Sequence, residues 1–309
     1  MRTIKRTTVV AIVMVLAALC PGSDGVMAEE FRFDYHRTVD ITGPAKLDLQ
    51  LTSGSVVVTG TEEDRVVIDA VKVVRGSHYE EAEEVADHIE IKVRQLDRTI
   101  EIRTNYLKMF NRSRSFWQKV FGFGSGSGSY GRVEYHVAVP LNCGVKIDAI
   151  SADILVENIE GELFIQNSSG ITRAEFVFGP VTVRQPSGEI DLRWIEGDIR
   201  VKASAARIEI RQVRGAIDLL SESGDVTVQT ELDSPKDYFV ETESGEIRFL
   251  VPEAASGLLR IESRSGEIAT KMAVAVKSLS RERLVGEFGR GGPRIELVSR
   301  SGDVTVAPY

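Results

Sequence analysis

The chain has 309 residues, a formal net charge of −8, 27 glycines, two cysteines and four histidines. An acidic balance argues against a nucleic-acid partner, whose phosphates ask for a basic face. Two cysteines and four scattered histidines (His36, His78, His88, His136) exclude a Cys-based metal cluster and any H-x-x-x-H arrangement.

The first segment opens with Met1-Arg-Thr-Ile-Lys-Arg6, runs through apolar Val9 to Leu19, and reaches Val26-Met-Ala28. Basic start, short apolar run and small-residue cleavage site together predict a secretory signal peptide over residues 1–28, the run being too short to span a membrane. The weaker alternative is a lipoprotein box at Leu16 to Cys20, which wants a small residue where Leu19 stands. Cleavage after Ala28 leaves 35 basic against 45 acidic residues and Cys143 as the only thiol. No intramolecular disulfide is then possible, and Cys143 is expected to be a small buried apolar residue.

Residues 47–76 carry a Ser53-Gly54 turn between alternating apolar runs and predict two strands that found a sheet. Acidic, alanine-containing Tyr79 to Asp87 suits a short helix, residues 88–104 a hairpin, and residues 132–150 an entry strand into the repeat region. Between the hairpin and that entry strand, residues 105–131 hold no Asp or Glu but four basic residues, Lys108, Arg112, Arg114 and Lys119. The same segment carries Phe110, Phe116, Trp117, Phe121 and Phe123 and ends in a Gly-Ser tract of linker composition. Basic residues mixed with Trp and Phe suit the boundary of an anionic membrane or envelope polymer. The other readings are an insertion capping an open end of the sheet, and a tether without structure. Lys108, Phe110, Arg112, Arg114, Phe116, Trp117, Lys119 and Phe121 are the candidate contact residues.

From residue 152 onward small residues recur every nine: Ala152, Gly161, Gly170, Gly179, Gly188, Gly197, Ala206, Gly215 and Gly224. Positions two and four beyond each are apolar, as in Ile190 and Leu192, with Thr172 and Ala174 the exceptions. The seventh position alternates between apolar (Ile159, Val177, Ile195, Val213) and not (Ser168, Pro186, Ser204, Glu222), so one coil is 18 residues with two unlike sides. Ser-Gly-acid-apolar signatures at 223, 244, 265 and 301 continue the series at steps of 21, 21 and 36, with one missing near Lys277 to Gly292. Such a repeat buries its apolar side chains only by stacking coil on coil with parallel pairing, so no coil folds alone. The prediction is an all-β chain: a parallel β-solenoid of 18-residue, two-strand coils with Ile190, Ile208 and Val226 in one interior column, plus an N-terminal strand and hairpin region with one short helix. It divides into a signal peptide (1–28), the N-terminal strands, helix and basic aromatic loop (29–140), and the repeat solenoid (141–309).

Glycine is expected at the corners for positive φ or close backbone approach. The acid next to it invites comparison with calcium-binding nonapeptide repeats, but each turn offers one carboxylate. Alternating signs in the expected stack of Glu189, Arg207 and Asp225, and the mixed signs of the neighbouring stack of Arg173, Asp191 and Glu209, predict cross-strand ion pairs instead. Asn111 and Asn167 stand in glycosylation sequons that read most simply as turns.

The Ser53-Gly54 strand, "HYEEAEEVADHIEI", "VEYHVAVPLNCGVKI" with its Val-Pro, the Ser-Gly-Asp/Glu repeats and the closing "IELVSRSGDVTV" together resemble the bacterial family DUF4097, whose members often carry an adhesin label. The resemblance covers nearly all of residues 31–309. It implies a parallel β-solenoid exported to the cell envelope, roles in adhesion or envelope stress, and no catalytic residues.

The expected function is therefore a non-enzymatic, exported, envelope-associated binding or scaffolding module without cofactor or metal. Its partners would be an anionic membrane surface, an envelope polymer or another envelope protein, in the periplasm or at the cell surface. The alternative is a carbohydrate-active or calcium-dependent surface β-helix protein, which would need carboxylates clustered in a groove.

Overall fold

Apolar residues two apart, mostly β-branched and bounded by glycine, fill one face of an extended strand and cannot form a helical stripe. The computed structural model describes residues 29–41, 43–106, 131–232 and 235–309. Strands β1 (Glu29–Asp40), β2 (Lys46–Thr61) and β3 (Arg65–Gly76) precede the only helix among the described residues, α1 (Tyr79–Asp87). Then come β4 (Ile89–Leu96), β5 (Thr99–Tyr106), β6 (Arg132–Pro140), β7 (Gly144–Ile159), β8 (Leu163–Ser169), β9 (Ile171–Phe178), β10 (Val181–Glu196) and β11 (Ile199–Arg214). The rest are β12 (Ile217–Ser223), β13 (Val226–Thr230), β14 (Tyr238–Ser244), β15 (Ile247–Val251), β16 (Gly257–Ser263), β17 (Ile268–Thr270), β18 (Ala275–Leu279), β19 (Arg283–Phe288), β20 (Arg294–Ser299) and β21 (Val304–Pro308). The predicted helix and hairpin fall on α1 and on β4 with β5.

The fold is the expected solenoid. Val181 pairs in parallel with Ile199 and Ile199 with Ile217, while Ile190 pairs with Ile208 and Ile208 with Val226. The last three are buried in one column. The 21-residue steps appear as Ile217 opposite Tyr238 and Val226 opposite Ile247. Thr172, an apparent flaw in the apolar pattern, is buried and donates its hydroxyl to Gln185 Oε1 at 2.5 Å.

Two kinds of corner explain the nine-residue interval. At Gly188 φ is +105° and a Cβ would lie 2.1 Å from the carbonyl oxygen of Gly170 on the neighbouring rung. At Gly197, which is not in the left-handed region, a Cβ would still lie 2.0 Å from the Gly179 oxygen. Gly188 needs both a glycine conformation and a bare α-carbon and Gly197 bareness alone, while Ala206 stands at the Gly188 corner on the next rung and Gly215, at the Gly197 corner, is again left-handed at φ +126°.

Coils stacked in chain order would be the simplest outcome of the repeat, and at both ends the structure departs from it. Ile295 of β20 lies between Tyr238 of β14 and Leu259 of β16, and Val304 of β21 between Ile247 of β15 and Ile268 of β17. The last rung in sequence is thus inserted one place inside the stack. Its displaced neighbour is covered by β19, antiparallel to β16, and β19 by β18. This β18–β19 hairpin occupies the region where a Ser-Gly signature is missing. At the other end β2 lies between β7 and a rung whose halves are β5 and β6: Leu47 faces Ile100 and Val145, Val56 faces Tyr135 and Ile154. Antiparallel β4 lies on β5, β3 on β6 and β1 on β3. The column thus ends in antiparallel strands, over β16 alone at one end and over both β5 and β6 at the other.

Candidate functional site

Lys108, Phe110, Arg112, Arg114, Phe116, Trp117, Lys119 and Phe121 lie outside the described residues, as does the sequon at Asn111. The flanks of their segment are described. The segment joins Tyr106 at the end of β5 to Gly131 before β6, the two halves of the last parallel rung, where an interior rung such as β10 turns at Gly188. Both flanks are tied down. The hydroxyls of Thr104 and Tyr135 are 2.7 Å apart, and burial raises the phenol pKa of both Tyr135 and Tyr106. Arg132 donates to Glu134 from Nε at 3.2 Å and to Glu30 from Nη1 at 3.2 Å, and Arg75 Nε reaches Glu30 at 3.0 Å. The bond from Arg132, more than any other contact, holds the Glu30 carboxyl below the ordinary range.

The acids after the small corner residues, Ala152 and the glycines 197, 224 and 302, have a structural occupation. Asp153 Oδ1 accepts the Ile171 N–H at 3.0 Å, Asp198 the Ala216 N–H at 3.0 Å, Asp225 the Glu246 N–H at 3.1 Å, and Asp303 the Glu267 N–H at 2.7 Å. A bend takes the N–H out of reach of a ladder carbonyl, and the carboxylate of the adjacent rung replaces it. This corrects the expected Glu189, Arg207, Asp225 stack: Glu189 does face Arg207, but the Asp225 carboxylate serves the corner. The second expected row is realised in part. Arg173 Nε lies 3.3 Å from Asp191, which is only 2% exposed; Arg193 completes its pairing at 2.7 Å, and Glu209 turns to Arg211 at 2.8 Å. Among the described residues no group of three or more His, Cys, Asp or Glu could hold a metal ion, and no helix is long and apolar enough to cross a membrane.

Cys143 is buried, as its sequence context predicts, and burial pushes the thiol up to about 12. Asn167 is not a surface turn: it is buried in β8, and its amide donates to the Ala152 carbonyl at 2.8 Å. Gln185 does the same one rung further on, donating to Gly170 O at 2.9 Å, and Gln212 caps the other kind of corner, donating to Gly197 O at 2.8 Å and Ala216 O at 3.1 Å.

Sequence reasoning missed one surface. Asn158, Phe176 and Trp194 are the same bulge position in successive rungs, between ladder pairs that join Glu157 to Glu175 to Arg193 and Ile159 to Val177 to Ile195. Their φ angles are +57°, +55° and +56°. Phe176 and Trp194 are 43% and 52% exposed, with rings 6.5 Å apart between centroids and inclined by 7°. Beside them a hollow of about 410 Å³ is lined by Pro180, Glu196, Asp198, Arg214, Pro235 and Lys236 along the glycine corners 179, 197 and 215. Arg214 pairs with Glu196 at 2.8 Å and Lys236 with Asp198 at 2.6 Å. The available signal was the 18-residue spacing of Asn158, Phe176 and Trp194, with Asn marking a left-handed position.

No curated protein matches the sequence. Among solved structures, a candidate adhesin from Bacteroides fragilis is 12% identical, with 89% of this chain and 97% of that one covered at a TM-score of 0.47. A candidate lipid-binding protein from Parabacteroides distasonis is 14% identical, with 89% and 96% covered and a TM-score of 0.40. A candidate cell adhesion protein from Clostridium sporogenes is 12% identical, with 89% and 99% covered and a TM-score of 0.29. The profile of Toastrack DUF4097 matches residues 45–307, from the residue before β2 into β21. The chain belongs to the Toastrack DUF4097 family.

Proposed function

We propose that the chain is a non-enzymatic, exported binding module of the bacterial cell envelope that contacts an anionic surface through residues 105–131. The observation that carries this reading is the composition of that segment: four cations, five Phe or Trp residues and no acid, within an otherwise acidic chain. Its place supports the same reading. The flanking strands β5 and β6 form the last parallel rung of the column, so the segment's two attachment points lie near one end of it. Aromatic rings insert at the headgroup boundary while Lys and Arg meet anionic headgroups, each basic residue adding on the order of 1 kcal/mol near such a surface. The remaining outer faces distribute their charges in ion pairs, as around Asp191, which suits a scaffold.

The test is co-sedimentation of the full chain with phosphatidylglycerol vesicles, beside a variant carrying Phe116→Ser and Trp117→Ser. Pelleting of the native chain and its loss in the variant are expected. Equal pelleting of both, or of neither, removes the membrane reading.

A further inference from the structure

A bulky side chain in the left-handed region costs about 1–2 kcal/mol, and Asn or Gly relieves it. Asn158 is that economical solution, yet the next two rungs place Phe176 and Trp194 at the same φ and leave both rings about half in water. Neither burial nor backbone preference accounts for that choice. The rings are nearly parallel, at 7°, and climb the column from one rung to the next, where the rise is about 4.8 Å. Phe178, two residues beyond Phe176, is 47% exposed and pairs across the ladder with Glu196, which lines the hollow and stands two residues beyond Trp194.

That hollow has a definite chemistry. Its floor runs along glycine corners without side chains, and its polar groups are two opposed pairs, Arg214 with Glu196 and Lys236 with Asp198. Asp198 also accepts the Ala216 N–H, which with Lys236 holds its carboxyl below the ordinary range. Pro235 and Lys236, which line the hollow, belong to the longer connection of a 21-residue coil. The charges cancel, leaving oriented donors and acceptors next to flat apolar faces. An anionic ligand gains nothing from such a set. A second protein copy would have to cover the ion pairs without replacing their water. An uncharged polyhydroxyl ligand matches both parts: its ring C–H faces lie on aromatic rings, and its hydroxyls both donate and accept.

We infer that Phe176 and Trp194, with the hollow between Glu196 and Lys236, form a binding site for an uncharged saccharide chain. The inference rests on the reading of the chain as a binding module but uses a surface separate from residues 105–131.

The experiment is calorimetric titration of the full chain with cellohexaose, maltohexaose and chitohexaose, and with hexagalacturonate as the anionic counterpart. Saturable binding of at least one uncharged hexasaccharide is expected, weakened tenfold or more in Trp194→Asn and no more than threefold in Trp194→Phe. Trp194→Asn should not melt below the native chain, because Asn suits the backbone there; a clear drop in its midpoint would make the stacked pair a structural element and overturn the inference. Absence of binding to all three uncharged sugars, equal affinity for hexagalacturonate, or native affinity in Trp194→Asn would overturn it as well. So would self-association that Trp194→Asn abolishes in the absence of any sugar response. The Phe116→Ser, Trp117→Ser variant should bind sugar as the native chain does, which separates failure here from failure of the membrane reading.

Discussion

The α-carbon of Gly188 faces the carbonyl oxygen of Gly170 so closely that a Cβ would stand 2.1 Å from it, with φ at +105°. Gly188→Ala therefore combines a conformational penalty with a backbone clash, and a loss of about 2–4 kcal/mol is expected. Gly43→Ala is the control: φ is +85° there, but nothing lies within 4 Å of the added carbon. It should cost only about 1–2 kcal/mol. Denaturant midpoints of the two variants measure the difference, and equal losses would show that the neighbouring carbonyl is not the constraint.

Gln212 is an internal corner cap, donating to Gly197 O and Ala216 O while its Oε1 accepts the Thr230 hydroxyl at 3.2 Å. Gln212→Leu keeps the volume and removes three bonds, stranding the Gly197 carbonyl and the Thr230 hydroxyl, while Ala216 O keeps the Ile199 N–H at 2.9 Å. About 2–4 kcal/mol of destabilisation is expected by urea titration. A neutral result would mean that water enters the corner.

The Asp198 carboxyl is held below its ordinary range, first by the Ala216 N–H and then by Lys236. A depressed folded-state pKa contributes stability that is present above the unfolded value, about 4, and lost as pH falls through the lower folded value. Melting midpoints recorded from pH 6 down to pH 3 should fall less steeply for Asp198→Asn than for the native chain. Parallel curves would show that the acid does not contribute.

Burial raises the Cys143 thiol to about 12, so the nucleophilic thiolate is scarce in the folded chain. Iodoacetamide at pH 8 should leave Cys143 unmodified in the native state and alkylate it in guanidinium, as read by intact mass. Rapid alkylation of the native chain would mean that the first solenoid rung opens readily.

Much of the column was legible because a rung repeats its requirements. The 18-residue spacing that placed Ile190, Ile208 and Val226 together is the register observed, and Thr172 needed only a buried partner, Gln185. Stacking order was not legible. Ser244-Gly, Ser265-Gly and Ser301-Gly satisfy the same corner geometry, so nothing local distinguishes chain order from the insertion of β20 and β21. The bulge at Phe176 and Trp194 was hidden for another reason: a deviation shared by consecutive rungs leaves the period unchanged. The acids after glycine read as ion-pair partners because sequence shows charges but not which corner N–H lacks a ladder partner.

The placement of β20 and β21 between earlier strands makes them a keystone. A tandem array that grows rung by rung can be shortened by one unit and survive. Here, deleting Arg294–Pro308 would leave β14 and β15 on one side, β16 and β17 on the other, each facing a slot of one strand's width. Zippering from the first rung must halt at that slot, with Gly257–Phe288 waiting undocked, until the final segment slides in and locks both sides at once.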